Sequence, residues 1–280
     1  MAERHLEISG DGEPVLFVPG FPFGAHVFRQ LVPMIAGRFR AVLPDLSEPA
    51  SVAAQASALR DTAGRLGAGR CAVIAHGTGG RVAQALAFGD GGEVVDTIVL
   101  LASPGPTGPV AFPASPDEAL ERSHVEPMAS TDAEAYLDRW RRDPRAYARG
   151  RDALEAGDDV AGLEGAMASW ERPVLILHGE DDRIVEARIA ERLGAAIPAS
   201  TLGFLPESGH LLLDDAFASI GPMVVEYLRA RYLRAPHDHG GIAMLQLERR
   251  PPWVDLARAE ADDGEPSVPD PAEQEVGPNP

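Results

Sequence analysis

The stretch Cys71-Ala72-Val73-Ile74-Ala75-His76-Gly77-Thr78-Gly79-Gly80 joins an uninterrupted apolar run to a turn rich in glycine. Small and β-branched residues without polar alternation predict a strand that is buried on both faces, as the strands of parallel sheets are. The glycines that follow predict a sharp turn, and Gly79 and Gly80 let a helix lie close to the strand. The stretch therefore predicts a strand, a tight turn with Gly77 at its tip and a helix, a repeating unit of α/β folds.

Similar apolar runs recur along the chain and alternate with amphipathic stretches. The predicted strands are Val15–Val18, Arg40–Leu43, Cys71–Ala75, Thr97–Leu101, Val174–Leu177 and Thr201–Leu205. The predicted helices span residues 27–37, 51–66, 79–88, 186–196 and 214–233. This alternation predicts an α/β protein with a mostly parallel sheet flanked by helices.

The regular spacing of the strands ends after Ala102, where a stretch rich in proline and glycine leads into charged, helical sequence. Thr131-Asp132-Ala133-Glu134 has the pattern of a capping box and predicts a helix that begins at Thr131, while Pro144 suits the first turn of the next helix. We therefore expect an α/β core of residues 1–105 and 171–233 with a helical cap at residues 106–170. Residues 234–280 are expected to form an acidic, proline-rich C-terminal tail that is partly disordered.

The charge, the length of the apolar runs and the cysteine count indicate which kinds of partner and which covalent links the protein can have. The chain carries 25 Lys and Arg residues against 43 Asp and Glu residues, a net charge of -18. A nucleic-acid-binding surface needs cationic side chains to neutralise phosphates, so no nucleic-acid partner is expected. No run of membrane-spanning length and no signal segment is found, which predicts a cytoplasmic protein without a membrane partner. The single cysteine, Cys71, excludes an internal disulfide and suits a buried core position.

Four motifs stand where predicted strands end. They are Phe17-Val18-Pro19-Gly20-Phe21-Pro22, the turn at Gly77, Leu177-His178-Gly179-Glu180-Asp181-Asp182 and Glu207-Ser208-Gly209-His210. The carboxyl ends of parallel strands lie at one edge of the sheet, and open α/β folds bind their ligands at that edge. We therefore expect the four motifs to form one site.

In this order, the motifs resemble those of the α/β-hydrolase superfamily over roughly residues 5–232. In that family the turn has the pattern G-x-S-x-G, with a nucleophilic serine at its tip. Here the pattern is Ala75-x-Gly77-x-Gly79, so the resemblance implies a family member whose nucleophile position is vacant. Glycine adopts a positive φ at little cost, and the turn itself is expected to persist. Because losing a triad serine lowers turnover by about a million-fold, acyl-enzyme chemistry is not expected.

The resemblance also implies roles for the remaining motif residues. His210 would be the general base, and Asp182, at the position of the family's G-x-x-D pattern, would orient it. Asp181 is the alternative carboxylate. The backbone N–H groups of Phe21 and Thr78 would form an oxyanion hole, one from each turn.

Other residues are weaker candidates for the site. The substrate-pocket candidates are His26, His76, Tyr136 and Trp140, with Tyr147 and Trp170 as further cap aromatics. His76 also suits a structural role, and His26 could instead brace the oxyanion turn. The hydroxyl groups that could replace the missing nucleophile belong to Thr78, Ser103 and Ser208. His237-Asp238-His239 lacks convincing further ligands, so no metal is expected, and no cofactor is expected either.

The sequence is compatible with three functions. The favoured one is an enzyme that acts on a small, hydrophobic, carbonyl-containing molecule by general-base catalysis with His210 and Asp182, without a covalent acyl intermediate. Such an enzyme could be a lyase, a cyclase, a cofactor-free oxygenase or a water-mediated hydrolase. The alternatives are a hydrolase-like protein that only binds its ligand, and a conventional esterase inactivated by a Ser→Gly replacement at Gly77. The oligomeric state is left open.

Overall fold

The apolar runs form a single eight-stranded sheet in the computed structural model of the protein. Its strands are β1 (Leu6–Ser9), β2 (Pro14–Val18), β3 (Arg40–Pro44), β4 (Cys71–His76), β5 (Val95–Leu101), β6 (Val174–Gly179), β7 (Ser200–Leu205) and β8 (Ala243–Leu245). The spatial order is β1-β3-β2-β4-β5-β6-β7-β8. β1 pairs with β3 in antiparallel orientation, and the other pairings are parallel. All six predicted strands are present, and the predicted mostly parallel α/β sheet is confirmed.

The structure describes residues 6–44, 51–67, 69–107, 110–156, 162–233 and 243–245. The chain divides into two units, Met1–Leu247 and Glu248–Pro280, and every described residue lies in the first. Within these ranges, the helices are too short or too polar to cross a membrane. Most of the predicted tail lies outside the described residues, but Ala243–Leu245 pairs with β7 as an edge strand.

Ten α-helices occur in the described ranges. They are α1 (Leu31–Ala36), α2 (Val52–Arg65), α3 (Gly79–Phe88), α4 (Pro116–Ser123), α5 (Ser130–Arg142), α6 (Pro144–Ala156), α7 (Glu164–Ala168), α8 (Ala187–Ala196), α9 (Leu212–Asp215) and α10 (Phe217–Leu233). Two predicted helices are divided. The one at 27–37 becomes a 3₁₀ helix, Gly24–Phe28, followed by α1, and the one at 214–233 is interrupted at Ala216.

The predicted capping box at Thr131 is wrong. Helix α5 begins one residue earlier, at Ser130, and its N-cap is Ala129, whose extended backbone precedes the first turn. Thr131 therefore lies inside that turn, and the Ala129 side chain makes no capping hydrogen bond. The next helix, α6, begins at Pro144 as predicted, because proline lacks only an N–H that the first helical turn leaves unpaired.

Side chains of successive strand residues enter two separate cores, one on each face of the sheet. On β2, for example, Val15 and Phe17 join one core, and Leu16 and Val18 join the other. This alternation follows from the two-residue period of a strand. Strands buried on both faces explain the continuous apolar runs of the sequence.

The insertion between β5 and β6 divides between the two faces. Aromatic residues of the segment up to α6 pack in the first core, which also receives α9 and α10. Leu163, Met167 and Trp170 instead join the second core, where the Trp170 ring lies 5.3 Å from the ring of Phe88. Trp170 therefore lies on the opposite face of the sheet from the other cap aromatics, and its predicted place in the cap over the site is wrong.

Candidate active site

The four strand-end motifs meet at one edge of the sheet. They follow β2, β4, β6 and β7, and the strand order reverses between β2 and β4, which is where open α/β sheets form a ligand crevice. Val18 pairs with Ala75, so the turn after β2 lies beside the turn after β4. A Cβ on Gly20 would come within 2.5 Å of the His76 carbonyl oxygen and 2.7 Å of the Thr78 nitrogen. The two turns therefore pack backbone against backbone.

Gly77 forms the tip of the second turn. Its φ is +53°, in the left-handed region that glycine adopts at little cost. Its N–H donates to the Leu101 carbonyl at 2.9 Å, and its carbonyl accepts from the N–H of Gly80, also at 2.9 Å. A Cβ built on Gly77 would lie 2.9 Å from His210 Nε2 and 3.5 Å from Cε1. The imidazole of His210 therefore faces the position where a side chain at residue 77 would begin.

The two ring nitrogens of His210 have different surroundings. His210 is fully buried, and its Nδ1 lies 2.8 Å from Asp182 Oδ2. Because a carboxylate only accepts hydrogen bonds, this contact assigns the proton to Nδ1. In the neutral ring the other nitrogen, Nε2, is an acceptor, and it has no hydrogen-bond partner among the described residues. The arrangement leaves a buried basic nitrogen directed toward Gly77.

Asp182 is held on both of its oxygens. Oδ1 accepts the N–H groups of Ile184 and Val185, each at 2.8 Å, and Oδ2 faces His210. Burial raises the pKa of the Asp182 carboxyl, but the charge and hydrogen bond of His210 and the backbone hydrogen bonds outweigh it, so the pKa lies below its usual value. Asp181, the alternative carboxylate, is exposed. The structure thus brings Asp182 to His210.

Two more buried histidines support this pair. His76 Nε2 donates to the carbonyl oxygen of His210 at 2.9 Å. His178 Nε2 donates to the Val185 carbonyl at 2.8 Å and lies 3.5 Å from Asp182 Oδ2. Burial lowers the pKa of both rings, that of His76 to about 3, so both are neutral near pH 7. His76 has the structural role that the sequence left open, and His178 is a motif residue for which no role was predicted.

The predicted oxyanion hole differs from expectation at one donor. The Phe21 N–H donates to Thr78 Oγ1 at 2.8 Å and is therefore already hydrogen-bonded inside the protein. The Thr78 N–H stands at the start of α3, where the first N–H groups of a helix have no partner within the helix. Of the two predicted donors, the Phe21 N–H is therefore engaged, and the Thr78 hydroxyl that engages it was predicted only as an alternative nucleophile.

Aromatic residues cover the site. The ring centroids of Phe23 and Phe112 lie 6.0 and 6.3 Å from that of His210. Trp140 Nε1 donates to the Pro22 carbonyl at 2.8 Å, and its ring packs 5.2 Å from that of Phe21. Trp140 therefore anchors the cap to the turn after β2. Phe23 and Phe112 were not predicted, because neither stands in a motif.

His26 and Tyr136 were pocket candidates, and the structure places their polar atoms in an ion network between α5 and the core. Arg29 Nε lies 2.8 Å from Asp132 Oδ1, and its Nη2 lies 2.6 Å from Asp214 Oδ1. The Tyr136 hydroxyl donates to Asp214 Oδ2 at 2.8 Å, and His26 Nε2 lies 3.2 Å from Asp132 Oδ1. Neither polar group is directed at His210, while the Tyr136 ring packs 5.6 Å from that of Phe23, so the pocket roles of His26 and Tyr136 stay predictions.

The other candidate hydroxyl groups are bonded elsewhere. Ser103 Oγ donates to the Pro104 carbonyl and accepts from Gln84, and Ser208 Oγ donates to the Pro206 carbonyl. Within the described ranges, no group of three or more His, Cys, Asp or Glu residues is arranged to hold a metal ion. His237-Asp238-His239, the weak metal candidate of the sequence, lies outside those ranges.

The site is buried. His210 and His76 have no exposed surface. A cavity of about 500 Å³ nearby is lined in part by Glu126, Glu207 and Asp215, and its lining includes neither His210 nor Gly77. A ligand that reaches Nε2 of His210 therefore has to displace part of the aromatic cover.

Sequence comparisons find distant relatives of this chain. An uncharacterized protein of Mycobacterium tuberculosis is 25% identical over 290 residues, covering 88% of this chain and 83% of that protein. The magnesium-chelatase 30 kDa subunit of Rhodobacter capsulatus is 24% identical over 250 residues, covering 78% of this chain and 87% of the subunit.

Solved structures agree with the fold. A 2-hydroxy-6-oxo-6-phenylhexa-2,4-dienoate hydrolase from Rhodococcus sp. strain RHA1 is similar with a TM-score of 0.67 at 21% identity, covering 81% of this chain and 94% of that one. An esterase from Exiguobacterium antarcticum has the same TM-score at 17% identity, covering 80% and 95%. The sequence model of the Alpha/beta hydrolase family matches residues 15–220, and this chain belongs to that family.

Proposed function

We propose that this protein is an enzyme that removes a proton from a small, hydrophobic, carbonyl-containing molecule, or from a water that attacks it, with His210 as the general base. One observation carries the proposal. The Nε2 of His210 is buried and without a hydrogen-bond partner among the described residues, and it faces a glycine where the family carries its nucleophile. The Nδ1 atoms of His76 and His178 also lack a partner there, so the position of Nε2 beside Gly77 is what distinguishes His210 as the base.

The chemistry follows from the two ring nitrogens. Nε2 accepts the substrate's proton, and the electron pair of the broken C–H or O–H bond moves onto the substrate. The imidazolium that forms is stabilised by Asp182, which stays ionised because its pKa lies below the usual range. The negative charge that develops on the carbonyl oxygen lies near the start of α3, where N–H groups and the helix dipole favour an anion.

The geometry at Gly77 argues against a simple Ser→Gly loss. A serine Oγ at hydrogen-bond distance from Nε2 places its Cβ about 3.5 Å from that nitrogen, given ordinary hydrogen-bond geometry. The Cβ position of residue 77 lies 2.9 Å from Nε2. His210 cannot withdraw freely, because Asp182 holds Nδ1 and the rings of His76 and Phe23 pack beside it. A serine at residue 77 would therefore need the His210 ring to move away from it.

The proposed substrate class rests on the cover of the site. Phe23 and Phe112 present aromatic surface beside the base, which favours an apolar ligand with one polar oxygen. The Rhodococcus hydrolase that shares the fold is named for a substrate that carries a ketone and an aromatic ring. A compound of that kind has both features that this site would recognise.

Deuterium exchange tests the proposal without knowledge of the natural substrate. Acetophenone in D₂O would be followed by proton NMR. His210 Nε2 takes a proton from the methyl group, that proton exchanges with D₂O, and return of a deuteron to the carbon replaces hydrogen by deuterium. We expect the protein to accelerate exchange and the His210→Ala variant to lose about 10²–10⁴-fold of it, the usual contribution of a general base. A panel of p-nitrophenyl esters would test water-mediated hydrolysis in parallel.

The alternatives give other results. A protein that only binds ligands would accelerate neither reaction. An inactivated esterase would show a large gain in ester hydrolysis on Gly77→Ser, with a burst and an acyl adduct in the mass spectrum. Either result would contradict the proposed function.

A further inference from the structure

The hydroxyl of Thr78 accepts from one of the two N–H groups that were expected as oxyanion donors, that of Phe21. Thr78 follows the turn tip directly, is 7% exposed, and its Oγ1 accepts the Phe21 N–H at 2.8 Å. A hydroxyl group has one proton to donate and two lone pairs. The contact with Phe21 uses one lone pair and leaves the proton to be placed.

The other buried threonines show where such protons usually go. Thr62 Oγ1 donates to the Ala58 carbonyl at 2.8 Å, and Thr97 Oγ1 donates to the Pro173 carbonyl, also at 2.8 Å. Thr78 differs from both, because among the described residues its hydroxyl is found only as an acceptor, from the Phe21 N–H, and donates no hydrogen bond. It is a buried hydroxyl at the N-terminus of α3, and it directly follows Gly77, which faces His210 Nε2.

We infer that the Thr78 hydroxyl is a catalytic residue that donates to the oxygen of a bound carbonyl compound, with the Phe21 N–H supporting it from behind. This deepens the proposed function and rests on it. The Phe21 N–H polarises the Thr78 hydroxyl, and the hydroxyl proton then points at the oxygen on which negative charge develops. Successive hydrogen bonds in a low-dielectric site strengthen one another, so the chain N–H to O–H to oxygen is a better donor than an isolated hydroxyl.

The Thr78 hydroxyl thus takes the role predicted for the Phe21 N–H, which is already engaged by Thr78 Oγ1. The hole then consists of the Thr78 hydroxyl and the Thr78 N–H, two groups of one residue at the first turn of α3. The backbone contact between Gly20 and the second turn fixes the distance from Phe21 to Thr78, so the hydroxyl is held without other side-chain contacts. A donor held in advance is worth more than one that must reorganise during the reaction.

The experiment compares Thr78→Ala, Thr78→Val and Thr78→Ser with the unmodified protein, using Thr97→Val as a control for the loss of a buried hydroxyl. Two readouts are measured: acetophenone exchange, and binding of 4-nitrophenolate, a stable oxyanion, by absorbance titration. We expect Thr78→Ala and Thr78→Val to lose about 10²–10³-fold in exchange, the effect of removing one oxyanion donor, and to bind the phenolate more weakly. Thr78→Ser should retain both within about fivefold, and Thr97→Val should change neither.

The outcomes separate the inference from the proposed function. If Thr78→Ala exchanges faster and binds the phenolate more tightly, the hydroxyl blocks the Phe21 N–H and the inference is overturned. If both variants match the unmodified protein while His210→Ala is inactive, the inference fails and the base chemistry stands. If the protein binds 4-nitrophenolate through Thr78 but catalyses nothing, the donor is supported and the proposed function fails. Absence of both binding and exchange in the unmodified protein contradicts both.

Discussion

The floor of the site and its roof are held together in different ways. The floor, defined as Phe21, Gly77, Thr78, Asp182 and His210, stands at strand ends, where backbone hydrogen bonds, close backbone packing and the buried Asp182–His210 pair hold it. The roof, defined as Phe112, Tyr136, Trp140 and Tyr147, is held by ring packing and side-chain hydrogen bonds. The difference is that close contacts between backbone atoms hold the floor, whereas contacts of side chains hold the roof.

The difference indicates how the protein divides its tasks. A base and an anion donor have to be held in one geometry before the substrate arrives, and strand ends provide that rigidity. The roof has to exclude water and still let a ligand reach a nitrogen with no exposed surface. Side-chain contacts are weaker one by one than packed backbone, so the roof can open while the floor stays in place.

The largest expected effect concerns the floor. Asp182→Asn replaces an acceptor by an amide, so the imidazole of His210 is no longer held with its proton on Nδ1. We expect exchange and hydrolysis to fall by about 10³–10⁴-fold, comparable to the loss of a triad carboxylate elsewhere. Circular dichroism would check folding. Asp181→Asn, at the exposed neighbour, is the matched control, and equal losses in the two variants would contradict the assignment.

The next effect tests the backbone packing of the floor. Gly20→Ala would place a Cβ 2.5 Å from the His76 carbonyl oxygen and 2.7 Å from the Thr78 nitrogen, neither of which can turn aside. We expect a loss of about 3 kcal/mol in the free energy of unfolding, the upper range for an overpacked site. Urea denaturation measures it. Gly64→Ala in α2, where a Cβ meets no atom within 4 Å, should instead stabilise by about 0.5–1 kcal/mol.

Acid should weaken the floor through His76. Its pKa is near 6.5 in the unfolded chain and about 3 in the folded protein, mainly because of burial and also because of the charge on His210. The unfolded chain therefore binds more protons between these values, so stability falls as the pH is lowered through that window, by up to about 1.4 kcal/mol per pH unit. His76→Gln keeps a donor for the His210 carbonyl and should flatten the profile between pH 6 and 4.5. Parallel profiles for the two proteins would disprove this.

A glycine of the roof gives the direct counterpart to Gly20. In α6, a Cβ on Gly150 would come within 2.5 Å of the Phe21 ring. The backbone of Phe21 belongs to the floor, but its ring packs among the roof aromatics and can shift with them. We expect Gly150→Ala to lower the free energy of unfolding by about 1 kcal/mol, less than Gly20→Ala, since part of the strain is offset by better helix propensity. The same urea denaturation would measure it. A larger loss than at Gly20 would mean that the roof is as rigid as the floor.

The floor could be predicted from the sequence because its residues follow strands at short, fixed intervals. Asp182 comes three residues after Gly179, and His210 directly follows Gly209, so the resemblance of these two motifs to the family pattern implied both. The partner of Phe21 was not accessible in this way, because Thr78 Oγ1 is 57 residues distant along the chain. Only the packing of two turns brings the two groups together.

The roof was predicted less well for a related reason. Aromatic residues in the insertion have no pattern that states which face of the sheet they cover. Trp140 and Trp170 were given the same place, and the structure puts them on opposite faces. The face that each ring covers depends on tertiary contacts, which a pattern of nearby residues does not reveal.

The smallest expected effect lies at the edge of the roof. Asp132→Asn removes the charge that faces Arg29 and His26, and both partners are about a quarter exposed, so water screens the interaction. We expect a loss of about 0.5–1 kcal/mol in the free energy of unfolding. The loss should be smaller at high salt, because added ions screen exposed ion pairs. Hydrogen bonds from Arg29 and His26 lower the pKa of Asp132 against the effect of burial, so this contribution is present above the unfolded pKa near 4 and is lost as the pH falls through the folded value. Acetophenone exchange should change by less than about threefold, since the base and the oxyanion donor do not contact Asp132. A loss of exchange as large as that of Asp182→Asn would mean that the roof positions the base, and the division between a rigid floor and a separable roof would have to be abandoned.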